Sequence, residues 1–261
     1  MTAAGVFVMA QISDVHLRVR GDGGTSARAL EAAVRSIAAL DPAPHALLLS
    51  GDLADTGSAE EYRRARELLA PLSMPIHVAA GNHDDRAGLR EHFAAPASDG
   101  LVQYAVDHGP LRLVVCDTMQ PGRGEGSYGP ERIRWLEAAL DGDRETPTIV
   151  AMHHPPLLTG IGVVDELGLP AADQRAIGAV IGRHPQVGRI VAGHVHRSFA
   201  GALAGCAVSV CQSTTFQLHL GAALAGRIVL TREPAGFALH IVHGGEVTSH
   251  TQPIGDHPLI D

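Results

Sequence analysis

The chain has 261 residues, a length that one large α/β domain can fill. Hydrophobic residues make up 45% of it and charged residues 18%, values typical of a globular protein with a sizeable core, so disorder is not expected. The net charge of −8, without any cluster of basic residues, argues against a nucleic-acid polymer as partner.

The cysteines and the apolar segments bear on the cellular compartment. Cys116, Cys206 and Cys211 are odd in number and lack C-x-x-C spacing, which favours a reducing environment. The apolar stretch before Asp14 is short and has no basic segment ahead of it, so it predicts a first strand rather than a signal peptide. Residues 199–211 form the longest weakly apolar stretch, which is too short to span a bilayer. These features predict a cytoplasmic protein with no membrane partner.

Short apolar strands alternate with helical segments through the first three quarters of the chain. The predicted strands are residues 6–12, 46–49, 76–79, 101–106, 111–116, 148–152 and 189–192. The predicted helices lie between Thr25 and Pro42, from the capping pattern of Ser58 and Glu61 to Pro71, from Pro130 to Gly142, and over residues 171–184. Such alternation is typical of βαβ units.

The last part of the chain has a different pattern. Residues 207–211, 227–230 and 237–242 are predicted strands with no helix between them, which indicates antiparallel pairing. No repeat, low-complexity tract or linker marks a boundary, so we predict a single domain over residues 1–261 in the α/β class.

Polar groups follow five of the predicted strands directly. In chain order the groups are Asp14-Val15-His16, Gly51-Asp52, Gly81-Asn82-His83-Asp84, His153-His154 and Gly193-His194-Val195-His196. Because the carboxyl ends of strands line the ligand crevice of an open α/β sheet, side chains distant in sequence should meet there. This convergence predicts one composite site.

The residue types in this site indicate its chemistry. Asp, Asn and His offer oxygen and imidazole nitrogen, a mixture that suits Mn, Fe, Co or Zn better than calcium. Seven candidate ligands are too many for one tetrahedral ion, whereas one shared carboxylate would let them serve two. Each motif alone has an ordinary alternative, such as a turn at Gly51-Asp52 or a strand exit at His153-His154. Their occurrence together favours a metal site.

The ordered set D-x-H, G-D, G-N-H-D, H-x-P and G-H-x-H resembles the calcineurin-like metallophosphoesterase superfamily. The resemblance implies one metal held by Asp14, His16, Asp52 and His196, and a second held by Asp52, Asn82, His153 and His194. His154 is then expected beside the site rather than on the metal, since the family's ligand stands two residues before the proline. His83 resembles the family's non-ligand histidine beside the scissile ester.

The resemblance also implies a fold and an activity. The fold is a four-layer α/β/β/α sandwich of two mixed sheets flanked by helices. The sequence is similar to the branch of bacterial class III cyclic-nucleotide phosphodiesterases and glycerophosphodiesterases, on the strength of His153-His154-Pro155-Pro156, Gly160-Ile161-Gly162 and Asp165. We therefore expect a small phosphodiester as substrate, and a homo-oligomer is plausible by resemblance.

The expected mechanism needs two divalent ions, drawn from Mn²⁺, Fe²⁺/Fe³⁺, Zn²⁺ and Co²⁺, with a bridging hydroxide attacking phosphorus in line. His83 is the expected catalytic residue and would donate a proton to the leaving oxygen. The expected substrate contacts are Asn82, His83, His196 and Asp165. Residues 157–170, which contain Asp165, follow a ligand and form either a specificity loop or a plain surface connection. Arg18 and Arg20 could contact a phosphate, but they are expected instead to be solvated surface side chains.

Two alternatives remain open from the sequence. A phosphomonoesterase, nuclease or protein phosphatase could use the same scaffold, although the low basic charge disfavours a nuclease. A non-catalytic interaction protein, in which metals only stabilise the fold, is the alternative from another class. The complete ligand set, with His83 as an additional acid, weighs against it.

Overall fold

The computed structural model describes residues 5–255, together with residues 257 and 260. In chain order the strands are β1 (Phe7–Ile12), β2 (Ala46–Leu49), β3 (Ile76–Val78), β4 (Tyr104–Asp107), β5 (Arg112–Cys116), β6 (Thr148–Met152), β7 (Val187–Ala192), β8 (Phe199–Leu203), β9 (Cys206–Val210), β10 (Gln217–Leu218), β11 (Leu230–Thr231), β12 (Gly236–His243) and β13 (Glu246–Pro253). The helices are α1 (Thr25–Ala38), α2 (Ala59–Leu69), α3 (Arg86–Phe93), α4 (Pro130–Asp141), α5 (Gly162–Asp165), α6 (Ala171–Ile181) and α7 (Leu220–Leu224).

Two mixed sheets form the centre of the structure. The first has the strand order β13-β12-β1-β2-β3, in which β1, β2 and β3 are parallel and β12 and β13 are antiparallel. The second has the order β4-β5-β6-β7-β9-β8, in which the four inner strands are parallel and β4 and β8 are antiparallel at the edges. Strands β10 and β11 form a separate antiparallel ribbon.

The sheets and helices are joined by two apolar cores. One core combines the first sheet and helices α1 to α3 with the inner face of the second sheet. The other joins the outer face of the second sheet to α4 and α6. Alternate residues of β6 point into opposite cores, because successive side chains of a strand face opposite ways: Ile149 and Ala151 into the first, Val150 and Met152 into the second. The predicted four-layer α/β/β/α sandwich is thereby confirmed.

Several predicted element boundaries are confirmed by local hydrogen bonds. Glu61 closes the capping box of α2, since its backbone N–H donates to Ser58 Oγ at 3.4 Å and its carboxylate accepts from the Ser58 N–H at 3.1 Å. Pro130 occupies the first turn of α4. The β4–β5 hairpin is closed by the His108 N–H donating to the Leu111 carbonyl at 2.8 Å.

Other expectations are corrected. The predicted strand over residues 101–106 begins only at Tyr104, because Leu101 instead pairs with Ser98 in an isolated bridge. The predicted helix over residues 171–184 ends at Ile181, and the predicted strand over residues 227–230 is reduced to Leu230–Thr231. Helices α3, α5 and α7 and strands β8, β10 and β13 were not anticipated, since they are short or lack a strong hydrophobic period.

Residues 1–4, 256, 258, 259 and 261 lie outside the described residues. The prediction of a single domain over residues 1–261 stays a prediction. Within the described residues, no helix is both long and apolar enough to cross a bilayer.

A buried polar chain links the two sheets just below their carboxyl ends. Gln11 on β1 donates from Nε2 to Ser50 Oγ at 2.7 Å and to the carbonyl of Ala192, at the end of β7, at 3.0 Å. Its Oε1 accepts from His240 Nε2 at 2.8 Å, and His240 Nδ1 accepts from the Ser249 hydroxyl at 2.8 Å. Burial lowers the pKa of His240 to about 3, so the imidazole is neutral as these partners require. This network of buried hydrogen bonds fixes the position of one sheet relative to the other.

We predict that Gln11→Leu lowers the free energy of unfolding by about 2–4 kcal/mol, because the His240 N–H and the Ala192 carbonyl both lose their buried partner. Urea denaturation followed by circular dichroism measures this change. Gln252→Leu is the matched control, since Gln252 lies half-buried on β13 and its side chain forms no hydrogen bond among the described residues. Equal losses in the two variants would contradict the proposed role of Gln11.

Candidate metal centre

The expected ligands stand just beyond the carboxyl ends of strands from both sheets. Asp14 and His16 follow β1, and Asp52 follows β2. From the second sheet, His153 follows β6, and His194 lies two residues after β7. Backbone hydrogen bonds tie these segments together, since the Asp14 N–H donates to the Gly51 carbonyl at 3.0 Å and the Gly193 N–H to the His153 carbonyl at 3.0 Å.

Five of these residues have left-handed backbone conformations, which non-glycine residues adopt rarely. Their φ angles are 52° at Asp14, 45° at His16, 51° at Asp52, 71° at His194 and 53° at His196. Such conformations cost free energy and persist where surrounding structure enforces them, most often at functional sites. Here they bend the backbone after each strand, so that both polar residues of D-x-H and both histidines of H-x-H lie at the candidate metal centre.

Glycines allow the segments to approach one another closely. A Cβ atom at Gly81 would collide with the Asp52 carboxylate, and one at Gly51 would collide with the His153 ring. A Cβ at Gly193 would similarly meet the side chains of Ser13 and Asp14. The three glycines therefore have a steric reason to precede the polar residues of their motifs.

One group of candidate ligand atoms is formed by Asp14, His16 and His196. The Nε2 atoms of His16 and His196 lie 3.1 Å apart, and His196 Nε2 is 3.4 Å from Asp14 Oδ1. The ligand atoms of all three residues lie within 4.8 Å of one another, which is close enough to hold one metal ion.

A second group is formed by Asn82, His153 and His194. The Asn82 side-chain oxygen lies 3.2 Å from His153 Nε2 and 3.1 Å from His194 Nδ1. Asp52 lies between the two groups, with its Oδ2 atom 3.5 Å from His16 Nε2 and 3.4 Å from His153 Nε2. One carboxylate oxygen is thus shared by imidazoles from opposite groups.

Hydrogen bonds fix which nitrogen each imidazole presents. His153 Nδ1 faces the Ser50 carbonyl at 2.9 Å and His196 Nδ1 faces the Phe216 carbonyl at 3.0 Å, so both donate from Nδ1 and direct Nε2 toward the candidate metal centre. His194 is oriented the other way, since its Nε2 donates to the Leu167 carbonyl at 3.0 Å and its Nδ1 faces Asn82. Backbone acceptors of this kind orient metal-ligating histidines.

The electrostatics of the buried site are dominated by Asp14 and Asp52, both of which are buried. Burial alone would raise the pKa of Asp52, but the neighbouring His153 and His16 hold it well below its usual value. Burial would lower the pKa of His153, whereas Asp52 raises it to about 9. Burial lowers the pKa of His194 well below its usual value, so that ring is neutral. Carboxylate, amide and imidazole donors at these separations fit divalent transition-metal ions.

His154 differs from His153 although the two are adjacent. The Thr118 hydroxyl pairs with His154 Nδ1 at 2.8 Å, and His154 Nε2 donates to the Gly124 carbonyl at 3.1 Å. Both ring nitrogens therefore already have partners. Burial and the neighbouring His153 lower the pKa of His154 to about 3, and its neutral ring lies 4.3 Å from that of His194. This geometry is that of a supporting residue.

His83 lies at the exposed margin of the site. Its backbone N–H donates to Asp52 Oδ1 at 2.9 Å, and its Nδ1 faces the Asp55 carbonyl at 2.8 Å, which leaves Nε2 without a hydrogen-bond partner among the described residues. The ring meets the edge of the His16 ring, with centroids 4.6 Å apart. His83 can therefore contact a molecule in the cavity.

Asp55 and Arg18 belong to the site, although the sequence motifs did not predict them. Asp55 Oδ1 lies 3.4 Å from His16 Nδ1, and Arg18 Nε lies 2.9 Å from Asp55 Oδ2. The contacts with His16 and Arg18 lower the pKa of Asp55 to about 2. The spacing of the two acids in Asp52-Leu53-Ala54-Asp55 was the available signal. Arg20, in contrast, is 87% exposed in its side chain, as expected for a solvated residue.

Asp165 does not line the main cavity of the site, although it shares a small pocket behind the loop with His194. Its carboxylate accepts hydrogen bonds from the backbone and hydroxyl of Thr159, both at 2.7 Å, and from the Gly160 N–H at 3.2 Å. It organises the loop of residues 157–170 from within, including the short helix α5. The side of the loop that reaches the cavity carries Val164 and Leu167.

The site opens into a cavity of about 390 Å³. One half of its lining is polar and contains His16, Arg18, Asp52, Asp55, Asn82, His83, His194 and His196. The other half is apolar and contains Val164, Leu167, Val195, Phe216, Leu218, Ile228 and Leu230. A molecule with one anionic end and one apolar end would match both halves.

Comparisons with known proteins agree with this geometry. Over 196 residues, the chain is 32% identical to a 3',5'-cyclic adenosine monophosphate phosphodiesterase from Pseudomonas aeruginosa, covering 74% of this chain and 70% of that protein. Over 199 residues, it is 34% identical to a glycerophosphodiester phosphodiesterase from Enterobacter lignolyticus, covering 72% of this chain and 70% of that protein.

Among solved structures, a dimetal phosphatase from Danio rerio superposes with a TM-score of 0.72 at 16% identity, covering 96% of this chain and all (100%) of that one, which shows a shared fold. The family model described as calcineurin-like phosphoesterase matches residues 7–198, a span that includes the seven candidate ligands and His83. The chain therefore belongs to the calcineurin-like phosphoesterase family.

Proposed function

We propose that this protein is a metal-dependent phosphodiesterase that hydrolyses a small phosphodiester, either a 3',5'-cyclic nucleotide or a glycerophosphodiester. The observation that carries the proposal is the position of the Asp52 carboxylate, whose Oδ2 atom lies 3.5 Å from His16 Nε2 and 3.4 Å from His153 Nε2. A shared carboxylate between two groups of imidazoles is the arrangement that a two-metal hydrolase needs. The names of the relatives support the class of substrate.

The donor groups support the following assignment. Asp14, His16, Asp52 and His196 would hold one ion, and Asp52, Asn82, His153 and His194 would hold the second. Mn²⁺, Fe²⁺/Fe³⁺, Zn²⁺ and Co²⁺ all suit a mixed set of oxygen and nitrogen donors. When bound, such a pair of ions supplies an activated water and neutralises the charge of the phosphoryl oxygens.

The protein's own residues would orient the substrate and move a proton. His83 holds its ring by donating from Nδ1 to the Asp55 carbonyl, which leaves Nε2 free to face the leaving oxygen. Asp55 is itself held by Arg18, so the position of His83 depends on this ion pair. Asn82 and His196 line the cavity beside it and would contact the phosphoryl group.

Size and charge support a small substrate rather than a polymer. The cavity of about 390 Å³ matches one small molecule, and the chain carries a net charge of −8. The three free cysteines support a reducing compartment such as the cytoplasm. A non-catalytic role for the metals would not require an open cavity beside the ligand atoms.

The proposed activity can be tested with two chromogenic esters. We expect metal-free protein to be inactive, and Mn²⁺-loaded protein to hydrolyse bis(p-nitrophenyl) phosphate with a kcat/KM at least about tenfold above that for p-nitrophenyl phosphate. The physical reason is that the apolar lining of the cavity, which includes Phe216 and Leu230, can bury the second aryl group of the diester, which the monoester lacks. Preference for the monoester would support a phosphatase instead, and inactivity on both with full metal content would support a non-catalytic role.

We predict that His83→Ala lowers kcat on an unactivated phosphodiester, such as a 3',5'-cyclic nucleotide or a glycerophosphodiester, by about 10²–10⁴, the usual contribution of a general acid to the departure of an alkoxide. Metal content should not change, since the contact of His83 with Asp52 is made by its backbone N–H. Steady-state kinetics and elemental analysis measure the two quantities. His243→Ala, at an exposed histidine of β12, is the control and should retain full activity. Undiminished turnover in His83→Ala would remove the proposed role.

A separate prediction concerns the second ion. Asn82→Ala removes the oxygen that lies between His153 and His194, so we expect about one tightly bound ion per chain instead of two. Elemental analysis after dialysis measures the stoichiometry. Asn82→Asp, which restores an oxygen donor, should recover the second ion, and an unaltered stoichiometry in Asn82→Ala would exclude Asn82 as a ligand.

A further inference from the structure

The apolar half of the cavity has no role in the chemistry described above. It is built from side chains on the 157–170 loop and on the segment that contains β10, α7 and β11. Its main members are Val164, Leu167, Phe216, Leu218, Ile228 and Leu230. The Phe216 ring stacks on the His196 ring with centroids 4.9 Å apart and an interplanar angle of 21°, so this apolar wall begins directly at the metal centre.

Two of these side chains are unusually exposed. Ile228 is 55% and Leu230 is 52% accessible, although both line the cavity. They are held there by the β10–β11 ribbon, in which Leu218 pairs with Leu230 and the His219 N–H donates to the Val229 carbonyl at 2.8 Å. Large aliphatic side chains presented to water at the rim of a site mark a surface that binding covers.

Three backbone carbonyls in the apolar half already accept a hydrogen bond from a neighbouring side chain. The Phe216 carbonyl accepts from His196, the Leu167 carbonyl accepts from His194, and the Leu218 carbonyl accepts from Arg197 at 2.6 Å. A molecule placed against this wall would be recognised by hydrophobic contact and by stacking, not by hydrogen bonds to its edges.

A second cavity, on the side of His83 that carries Asp84 and Asp85, is richer in charged side chains, although Met119 and Pro121 also line it. It shares Asp55, Asn82 and His83 with the main cavity and continues to Thr56, Asp85 and Arg86. His83 lines both cavities, so a leaving oxygen beside it allows the leaving group to occupy this second cavity while the rest of the substrate stays in the main one. The substituent retained on phosphorus is then directed toward the apolar half.

We propose that Ile228 and Leu230, together with Phe216, form a subsite for a large hydrophobic substituent retained on the phosphodiester. This inference rests on the proposed phosphodiesterase function. The subsite selects ring-sized apolar groups by the surface that they bury and disfavours small or polyhydroxylated groups such as methyl or glyceryl. The pattern of hydrogen-bonding groups on the ring contributes little to its selection.

A second copy of the chain is the competing occupant, because Leu220 and Leu224 on α7 are also exposed. Ile228 and Leu230 differ from these two residues by lining the same cavity as His196 and His83. Their continuity with the candidate metal centre favours the substrate as the molecule that covers them.

The test compares two esters with the same leaving group, methyl p-nitrophenyl phosphate and phenyl p-nitrophenyl phosphate, on the metal-loaded protein. We expect the wild type to favour the phenyl ester about tenfold in kcat/KM. The double substitution Ile228→Ser with Leu230→Ser should lower this selectivity ratio to about one. Leu224→Ser is the matched control, because Leu224 is 67% exposed on the same segment but does not line the cavity.

Calorimetric binding of phenylphosphonate and methylphosphonate to the same proteins provides a measurement that needs no turnover. If neither ester is hydrolysed, the proposed function fails, and a phenyl preference that the double variant abolishes would still support the subsite. Equal treatment of the two substituents by the wild type, or an unaltered preference in the double variant, would overturn the subsite. A change from dimer to monomer in the double variant, detected by light scattering, would instead identify the ribbon as an interface between copies.

Discussion

The structure depends on holding two buried carboxylates, Asp14 and Asp52, close together at the junction of two sheets. Burial disfavours a charged carboxylate unless positive charge or strong hydrogen bonds compensate for the lost water. His153, charged by Asp52, supplies part of that compensation, whereas His194 and His154 are kept neutral by burial. Divalent cations between these groups would supply the remaining positive charge, so the free energy of metal binding would also stabilise the folded site.

This constraint explains why the two sheets need a defined register. Asp14, His16 and Asp52 come from the first sheet, and His153, His194 and His196 come from the second, so neither sheet contains a site alone. Apolar packing joins the sheets but is not directional. The buried hydrogen bonds of Gln11 and His240 are directional and therefore define how the sheets are positioned. They reach Ser50 and Ala192, which stand immediately before the Gly51 and Gly193 of two motifs.

The strand-end motifs could be identified in the sequence because they depend on local signals, whereas the four-layer order of sheets and helices was implied by the family resemblance. A short apolar strand and the polar residues after it are adjacent in the chain, and parallel topology brings their ends together. Asp55 was missed and Arg18 was expected at the solvated surface, since their pairing arises only when the segments after β1 and β2 are side by side. The ring nitrogens of His154, unlike those of His153, are paired with Thr118 and Gly124. These two residues are remote in sequence, so the difference could not be derived from the motif. The β10–β11 ribbon was not predicted because each of its strands has only two residues, too few to show a hydrophobic period.

The two halves of the cavity differ in how freely their residues can be replaced. On the polar side, Gly51, Gly81 and Gly193 leave no room for even a methyl group, and Asn82 is the sole asparagine of the chain. On the apolar side, Ile228 and Leu230 extend into open space from a two-stranded ribbon. An engineer could therefore diversify the ribbon to redirect the enzyme toward new esters while the ion-binding framework is left untouched.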